Sequence, residues 1–248
     1  MAIKQSTQVK ESKRVNKPIS KTKEFSTSDL RPVTLTPSQS KYLNLILTND
    51  IVFCYGPAGT SKTFTACFAA LQLYLDGKIK KIILSKPIQE SGEKLGFLPG
   101  DVKEKIDPYM ESYRTNLVKL LHDPHLVSWL EQMGIIEFRP LAYMRGTTID
   151  DAIMILDEAQ NANFKQLMLF ITRTGKDSTA LVCGDVSQSD IARDQIALPE
   201  FINIMTGIHG VAIHKFTDKD NMRKALLQQL IKRYEQWKDN NLNHQFLK

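Results

Sequence analysis

IVFCYGPAGTSKTFTACFAALQLYL (51–75) decides the fold. IVFCY (51–55) is a short apolar run rich in β-formers, bounded by Gly56, and reads as a buried strand. TFTACFAALQLYL (63–75) carries a helical period and stops at Asp76-Gly77. Between them lies GPAGTSKT (56–63), a near match to the phosphate-binding pattern G-x-x-x-x-G-K-[ST] in which Ser61 replaces the second glycine. A loop after a strand and before a helix can aim several backbone N–H groups at one anion, and the helix N-terminus adds its dipole. Gly56, Pro57, Ala58, Gly59, Thr60, Ser61, Lys62 and Thr63 are therefore the predicted nucleotide-binding residues. Lys62 reaches the β- and γ-phosphates, and the Thr63 hydroxyl faces Mg²⁺. If position 61 needs a positive φ, serine costs about 1–2 kcal/mol there, which the many donors of the loop tolerate.

The rest of the chain supports the same architecture. KIILS (81–85), IIEFRP (135–140), AIMILD (152–157), TALVCG (179–184) and GVAIHKF (210–216) read as further strands, with helical segments between them. A helical region is predicted from about Val102 to Leu130, and an amphipathic terminal helix over 222–237. Alternating strands and helices predict an α/β fold, a mainly parallel sheet covered on both faces. At 248 residues and 42% hydrophobic content the chain suits one such domain with a tail. Residues 1–35 are predicted to form a disordered basic arm. Lys4, Lys10, Lys13, Arg14, Lys17, Lys21 and Lys23 oppose only Glu11 and Glu24 in the first stretch. Such an arm either keeps the protein in solution or adds phosphate contacts to a polynucleotide. The net charge of +6 is compatible with a polyanionic partner.

Several classes are disfavoured. Cys54, Cys67 and Cys183 lie apart in apolar stretches, which predicts buried thiols rather than disulfides or a zinc site. His122 and His125 have no matching partner pair and read as a surface turn. MAIKQSTQVKESKRV holds no apolar signal segment, and no run is long enough to span a bilayer, so no membrane partner and a cytoplasmic location are expected.

Two later segments complete a nucleotide site. In ILDEAQ (155–160) an apolar strand ends in two carboxylates. Asp157 is placed to hold Mg²⁺, largely through water, and Glu158 to polarise the attacking water. In LVCGDVSQ (181–188) a strand ends in Gly-Asp with Gln188 beyond, either a γ-phosphate sensor or an ordinary surface amide.

With GPAGTSKT, SGEKLGFLPGD (91–101), PLAYMRG (140–146), ILDEAQN (155–161) and GDVSQ (184–188) in this order, the chain resembles the PhoH family over roughly residues 35–237. The resemblance implies a three-layer, RecA-like P-loop NTPase domain over 36–248, related to superfamily-one helicases, in which the strand carrying Asp157 is not beside the P-loop strand. It also implies ATP and Mg²⁺ as ligands, and ATP hydrolysis on single-stranded RNA or DNA by a helicase-like or remodelling enzyme. The alternative is a nucleotide-gated nucleic-acid-binding or assembly module with little hydrolysis, the reading that Ser61 favours. Gln39 matches the family's adenine-reading glutamine; from its own context it is a helix-start residue. Arg223 matches a late family arginine and is the first choice for a γ-phosphate contact, with Arg145 and Arg173 as second choices; each also reads as a surface arginine. Thr147 stands where relatives often carry arginine.

One lobe leaves one face of the nucleotide open, so a neighbouring subunit is expected to complete it, in a homo-oligomeric ring that the family analogy makes a hexamer. The resemblance to helicases implies that the loop KPIQESGEKLGFLPGD (86–101) touches a nucleic-acid backbone, with Lys86 and Lys94 supplying charge. Phe97 either stacks on a base or packs beneath the loop.

Overall fold

The computed structural model describes residues 25–87, 102–186, 188 and 196–245. In chain order the elements are α1 (Pro37–Thr48), β1 (Ile51–Tyr55), α2 (Lys62–Leu75), β2 (Lys81–Ser85), α3 (Val102–Leu120), α4 (His125–Gln132), β3 (Ile136–Phe138), β4 (Ala152–Leu156), α5 (Phe164–Ile171), β5 (Thr179–Gly184), α6 (Leu198–Met205), β6 (Val211–Lys215) and α7 (Ala225–Gln245). Among the described residues the strands form one six-stranded sheet in the order β3-β2-β4-β5-β1-β6. Every pairing is parallel. β5 is inserted between β1, which feeds the phosphate loop, and β4, which ends at Asp157, as the expected RecA-like order requires.

β4 is apolar along its whole length, and β1, β2 and β5 are apolar through their middles, because helices cover both faces. Successive residues alternate between two cores. Val52, Cys54, Ile82, Leu84, Ile153, Ile155, Leu181 and Cys183 face the side that α1–α4 cover. Phe53, Ile83, Met154, Leu156 and Val182 face the side of α5 and α6. The three cysteines are free and buried, as expected. Among the described residues no helix is long and apolar enough to cross a membrane.

Three sequence boundaries move. The arm drawn over 1–35 ends too late. Phe25, Leu30, Val33 and Leu35 pack against the α1–α4 core. The segment is also stitched to the end of α3: Arg31 N–H donates to Leu120 O at 2.7 Å, Arg31 Nε to Leu121 O at 2.7 Å and His122 N–H to Asp29 O at 2.9 Å. Its apolar residues are too sparse to show a period but each finds a core site; residues 1–24 lie outside those described. The helical region 102–130 is two helices, broken where Leu121 pairs with Leu30 and Pro124 opens α4. The terminal helix begins at Ala225, because Asn221–Arg223 are drawn to the phosphate loop.

His214 on β6 lies between aromatic neighbours, stacked on Tyr42 at 5.5 Å and edge-on to Phe216 at 4.5 Å. Burial, helped by the charge of Lys41 and opposed by Asp220, lowers its pKa below the ordinary histidine value. A depressed folded pKa means the unfolded chain takes up the proton first. The neutral ring's stabilisation is therefore complete above the ordinary value and is lost as pH falls through the folded one. His214→Phe keeps an aromatic ring in place and removes the proton. Its melting temperature is expected to fall less between pH 7.5 and 5.5 than the wild type's, read by calorimetry at both pH values.

Candidate functional site

The phosphate loop folds as it does because three of its positions take backbone conformations with positive φ. Gly56 has φ 147° and Gly59 φ 88°. A Cβ on Gly56 would lie 2.4 Å from Phe216 O, and one on Gly59 would lie 2.7 Å from both Arg223 Cγ and Asn221 Oδ1, so these glycines also make room for the segment after β6. Ser61 sits at φ 63°, ψ 31°, the left-handed region, as the residue capping α2. The glycine-like backbone is thus retained at the cost anticipated for a serine. Its carbonyl accepts from the Thr65 N–H and hydroxyl, each at 3.0 Å. Its hydroxyl lies 3.5 Å from Met222 Sδ.

Lys62 is buried and turns back into the loop, donating to Gly56 O at 2.7 Å and Pro57 O at 2.9 Å. Thr60 donates its hydroxyl to Pro57 O at 2.9 Å, closing the turn. The segment after β6 clamps the loop from outside: Met222 N–H donates to Gly59 O at 2.9 Å and Asn221 Nδ2 to Ala58 O at 3.2 Å. Asn221 Oδ1 in turn accepts from Arg223 N–H at 2.9 Å. Arg223 is thereby laid across Gly59 at the mouth of the site.

Parallel pairing of β2 with β4 brings the carboxylates to the same edge, where Asp157 N–H donates to Ser85 O at 3.0 Å. Thr63 Oγ1 donates to Asp157 Oδ1 at 2.9 Å, joining the first turn of α2 to the end of β4. Burial pushes the Asp157 carboxyl upward; the nearby Lys86 charge pulls it down, Glu158 raises it and the Thr63 hydrogen bond lowers it. Glu158 has φ 55°, ψ 36°. A non-glycine residue in the left-handed region stores about 1–3 kcal/mol and persists only where its surroundings hold it. Glu158 Oε2 accepts from Gln160 Nε2 at 2.7 Å, and Gln160 Oε1 accepts from Asp185 N–H at 2.9 Å.

These groups line one open cavity of about 850 Å³. Gln39, Ala58, Gly59, Ser61, Lys62, Thr63, Asp157, Glu158, Gln188 and Arg223 all reach it. Gly56, Pro57 and Thr60 shape the loop behind. Gln39 is a helix-start residue, as its own context predicts, and it also lines the cavity. Its Oε1 accepts from Thr36 N–H at 2.9 Å as the third residue of α1, and its Nε2 points at Met222 Sδ, 3.2 Å away, on the cavity wall.

The remaining predicted residues fall elsewhere. Lys86 is not set out toward a nucleic-acid backbone. Its side chain is 12% exposed and its Nζ lies 3.8 Å from Asp157 Oδ2, because β2 ends beside β4 and the buried carboxylate draws in the nearest cation. Arg173 does not reach the site of its own chain. It precedes β5, and its carbonyl accepts from Ile149 N–H before β4, so it lies at the opposite end of the sheet. Arg145 is exposed and off the cavity. Lys94 and Phe97 lie outside the described residues.

The sequence reading missed Gln160, visible only as the fourth letter of DEAQ, and the wall formed by Arg31–Thr34, which it assigned to the arm.

The donor set fits Mg²⁺. A threonine hydroxyl and a carboxylate offer hard oxygen ligands, and Mg²⁺ typically takes one or two protein oxygens beside water and phosphate. Among the described residues no group of three or more His, Cys, Asp or Glu converges to hold a metal by itself.

A family model described as "PhoH-like protein" matches residues 32–235. The PhoH-like protein of Bacillus subtilis (strain 168) is 43% identical over 201 residues, covering 81% of this chain and 63% of its own. The PhoH-like protein of Mycobacterium tuberculosis (strain ATCC 25618 / H37Rv) is 40% identical over 211 residues, covering 85% and 59%. Protein PhoH of Escherichia coli (strain K12) is 35% identical over 199 residues, covering 79% and 56%. The chain thus spans 56–63% of the length of these relatives. Among solved structures, Pif1 helicase from Candida albicans overlaps 75% of this chain and 41% of its own at 15% identity and a TM-score of 0.39, a distant likeness.

The left-handed backbone at Ser61 sets a specific expectation. Ser61→Gly should leave the melting temperature within about 2 °C, since the relieved backbone strain is offset by the greater freedom of glycine in the unfolded chain. Ser61→Val places a β-branched residue in the same conformation and should lower it by about 2–4 °C for each kcal/mol lost. Calorimetry of both variants checks this.

Proposed function

The chain belongs to the PhoH-like protein family, and on that premise we propose that it binds Mg²⁺-ATP in the cavity between the phosphate loop and β4 and hydrolyses it, acting on single-stranded RNA or DNA as a helicase-like or remodelling ATPase. The observation that carries this reading is the 2.9 Å contact between Thr63 and Asp157. It brings the hydroxyl of the loop and the carboxylate of the distant strand to one point at the cavity floor.

Each residue has a chemical part. Thr63 and Asp157 would hold Mg²⁺. The ion supplies positive charge where the γ-phosphoryl group leaves. Lys62, held by two loop carbonyls, exchanges them for phosphate oxygens. The N–H groups at the start of α2 face the same anion. Glu158 accepts a proton from the attacking water as its oxygen bonds to phosphorus and the bond to the ADP oxygen breaks, leaving ADP and inorganic phosphate. Gln188 at the end of the β5 turn orients that water or senses the γ-phosphate, and Arg223 approaches from the segment clamping the loop.

Partners are proposed on separate grounds. The +6 charge and the basic arm favour a polyanion. On α7, Leu226, Leu230, Tyr234 and Trp237 form an exposed stripe, each at least 55% accessible. Its spacing is that of one helix face, which favours cover by a second copy. A homo-oligomer, a hexameric ring by family analogy, would also let Arg145 or Arg173 of one subunit approach the nucleotide of the next. The reading as a binding module without turnover drew on Ser61, and the loop's glycine-like geometry there favours hydrolysis instead.

Phosphate release from Mg²⁺-ATP tests the reading. Lys62→Ala and Glu158→Gln are each expected to lower kcat by about 10²-fold or more, with nucleotide binding kept in Glu158→Gln. Single-stranded RNA or DNA is expected to raise the wild-type rate; no change at saturating concentrations of either removes the nucleic-acid part. Binding without turnover would install the nucleotide-gated binding-module reading.

A further inference from the structure

Gln160 is 4% exposed, yet its amide is directed at two parts of the site rather than at the core. Its Nε2 donates to Glu158 Oε2 at 2.7 Å. Its Oε1 accepts from Asp185 N–H at 2.9 Å. Asp185 O then accepts from Gln188 N–H at 3.1 Å. The amide orientation is fixed by chemistry: a carboxylate needs a donor and a backbone N–H needs an acceptor, so the flipped amide would lose both bonds. Gly184 belongs to the same arrangement. A Cβ there would lie 3.1 Å from Gln160 Oε1 and 2.5 Å from Leu198 Cδ2, so the absence of a side chain lets Gln160 pass beneath the end of β5.

We propose that Gln160 is a positioning residue that fixes the Glu158 carboxylate and couples it to the β5 turn carrying Gln188, so that engagement of that turn by a γ-phosphate and the aim of the water-activating carboxylate are set together. The proposal rests on the hydrolytic reading above and deepens it. Glu158 needs such a partner because its left-handed backbone, φ 55°, sets where the side chain starts but not where the carboxylate ends. The coupling is short and contiguous, running from carboxylate to amide to backbone N–H through two hydrogen bonds at the open edge of the sheet. A displacement of Asp185 pulls on Oε1, and the rigid amide plane carries the change to Nε2. No other side chain is needed to carry it.

Two substitutions separate this role from a plain structural tie. Gln160→Glu keeps the acceptor for Asp185 N–H and removes the donor to Glu158. Gln160→Met keeps the volume and removes both bonds. The measurements are kcat for phosphate release, dissociation constants for fluorescent ATPγS and ADP, and the melting temperature, with Lys62→Ala alongside. Gln160→Glu is expected to lower kcat by about 10–100-fold, the scale of a misplaced catalytic group, while the ATPγS constant stays within about twofold. Gln160→Met is expected to reduce the preference for ATPγS over ADP as well, because the turn no longer reports to Glu158. A structural tie would instead lower the melting temperature of both variants and leave kcat of the folded protein and the ATPγS-to-ADP ratio unchanged, which overturns the proposal. If the wild type binds nucleotide but does not turn it over, the hydrolytic reading fails separately. The ratio in Gln160→Met then decides: a reduced preference sustains the coupling and an unchanged one overturns it. If Lys62→Ala weakens neither nucleotide, the site itself is misassigned and the coupling falls with it.

Discussion

A hydroxyl and a carboxylate 2.9 Å apart, Thr63 on α2 and Asp157 after β4, depend on nearly everything else in the molecule. Neither residue can be moved alone. Thr63 sits where it does because α2 starts one residue after a left-handed Ser61, and Asp157 because β4 runs parallel to β2 and stops level with Ser85. β5 lies between β1 and β4, so the two motifs approach each other across the sheet edge rather than along adjacent strands. A parallel sheet presents all its strand ends on one side, and this contact is made on that side.

The same edge carries several unfavourable features. Ser61 and Glu158 hold left-handed backbones without being glycine. Asp157 is a buried carboxylate raised by desolvation, with the Lys86 ammonium drawn in 3.8 Å away. Each carries a cost that the surrounding fold must offset, and such features gather where ligands bind. The two-sided apolar core supplies the stability: alternate residues of the same strands pack toward separate helical layers, which fixes the register and hence the level at which every strand ends.

Much of this was legible in the chain. Strand limits at β1, β2 and β5 follow from short apolar runs with clear stops, and GPAGTSKT, DEAQ and GDVSQ mark the ends that meet. What misled was sparse or shared signal. Residues 25–35 hold too few apolar side chains for a period, yet Phe25, Leu30, Val33 and Leu35 each fill a core site and Arg31 is tied to the end of α3. Lys86 reads as a cation facing nucleic acid because it opens the loop KPIQESGEKLGFLPGD; its neighbour in space is a buried carboxylate. The helical period of 222–237 runs through Met222 and Arg223, but their backbone N–H groups find better-placed acceptors in Gly59 O and Asn221 Oδ1.

The sequence by itself determined the layers, the strand that feeds the phosphate loop, and the residue types that reach a phosphate and a divalent ion, because periodicity and local turn chemistry depend on neighbours in the chain. Only the tertiary structure decided which side chains meet across strands: that Gln39 caps α1 while facing the cavity, that Arg223 lies over Gly59, that Arg173 is at the far end of the sheet, and that Gln160 bridges Glu158 and Asp185. The reason is physical. A side chain's partner in a parallel sheet is set by strand order and register, and both come from packing between segments far apart in the chain.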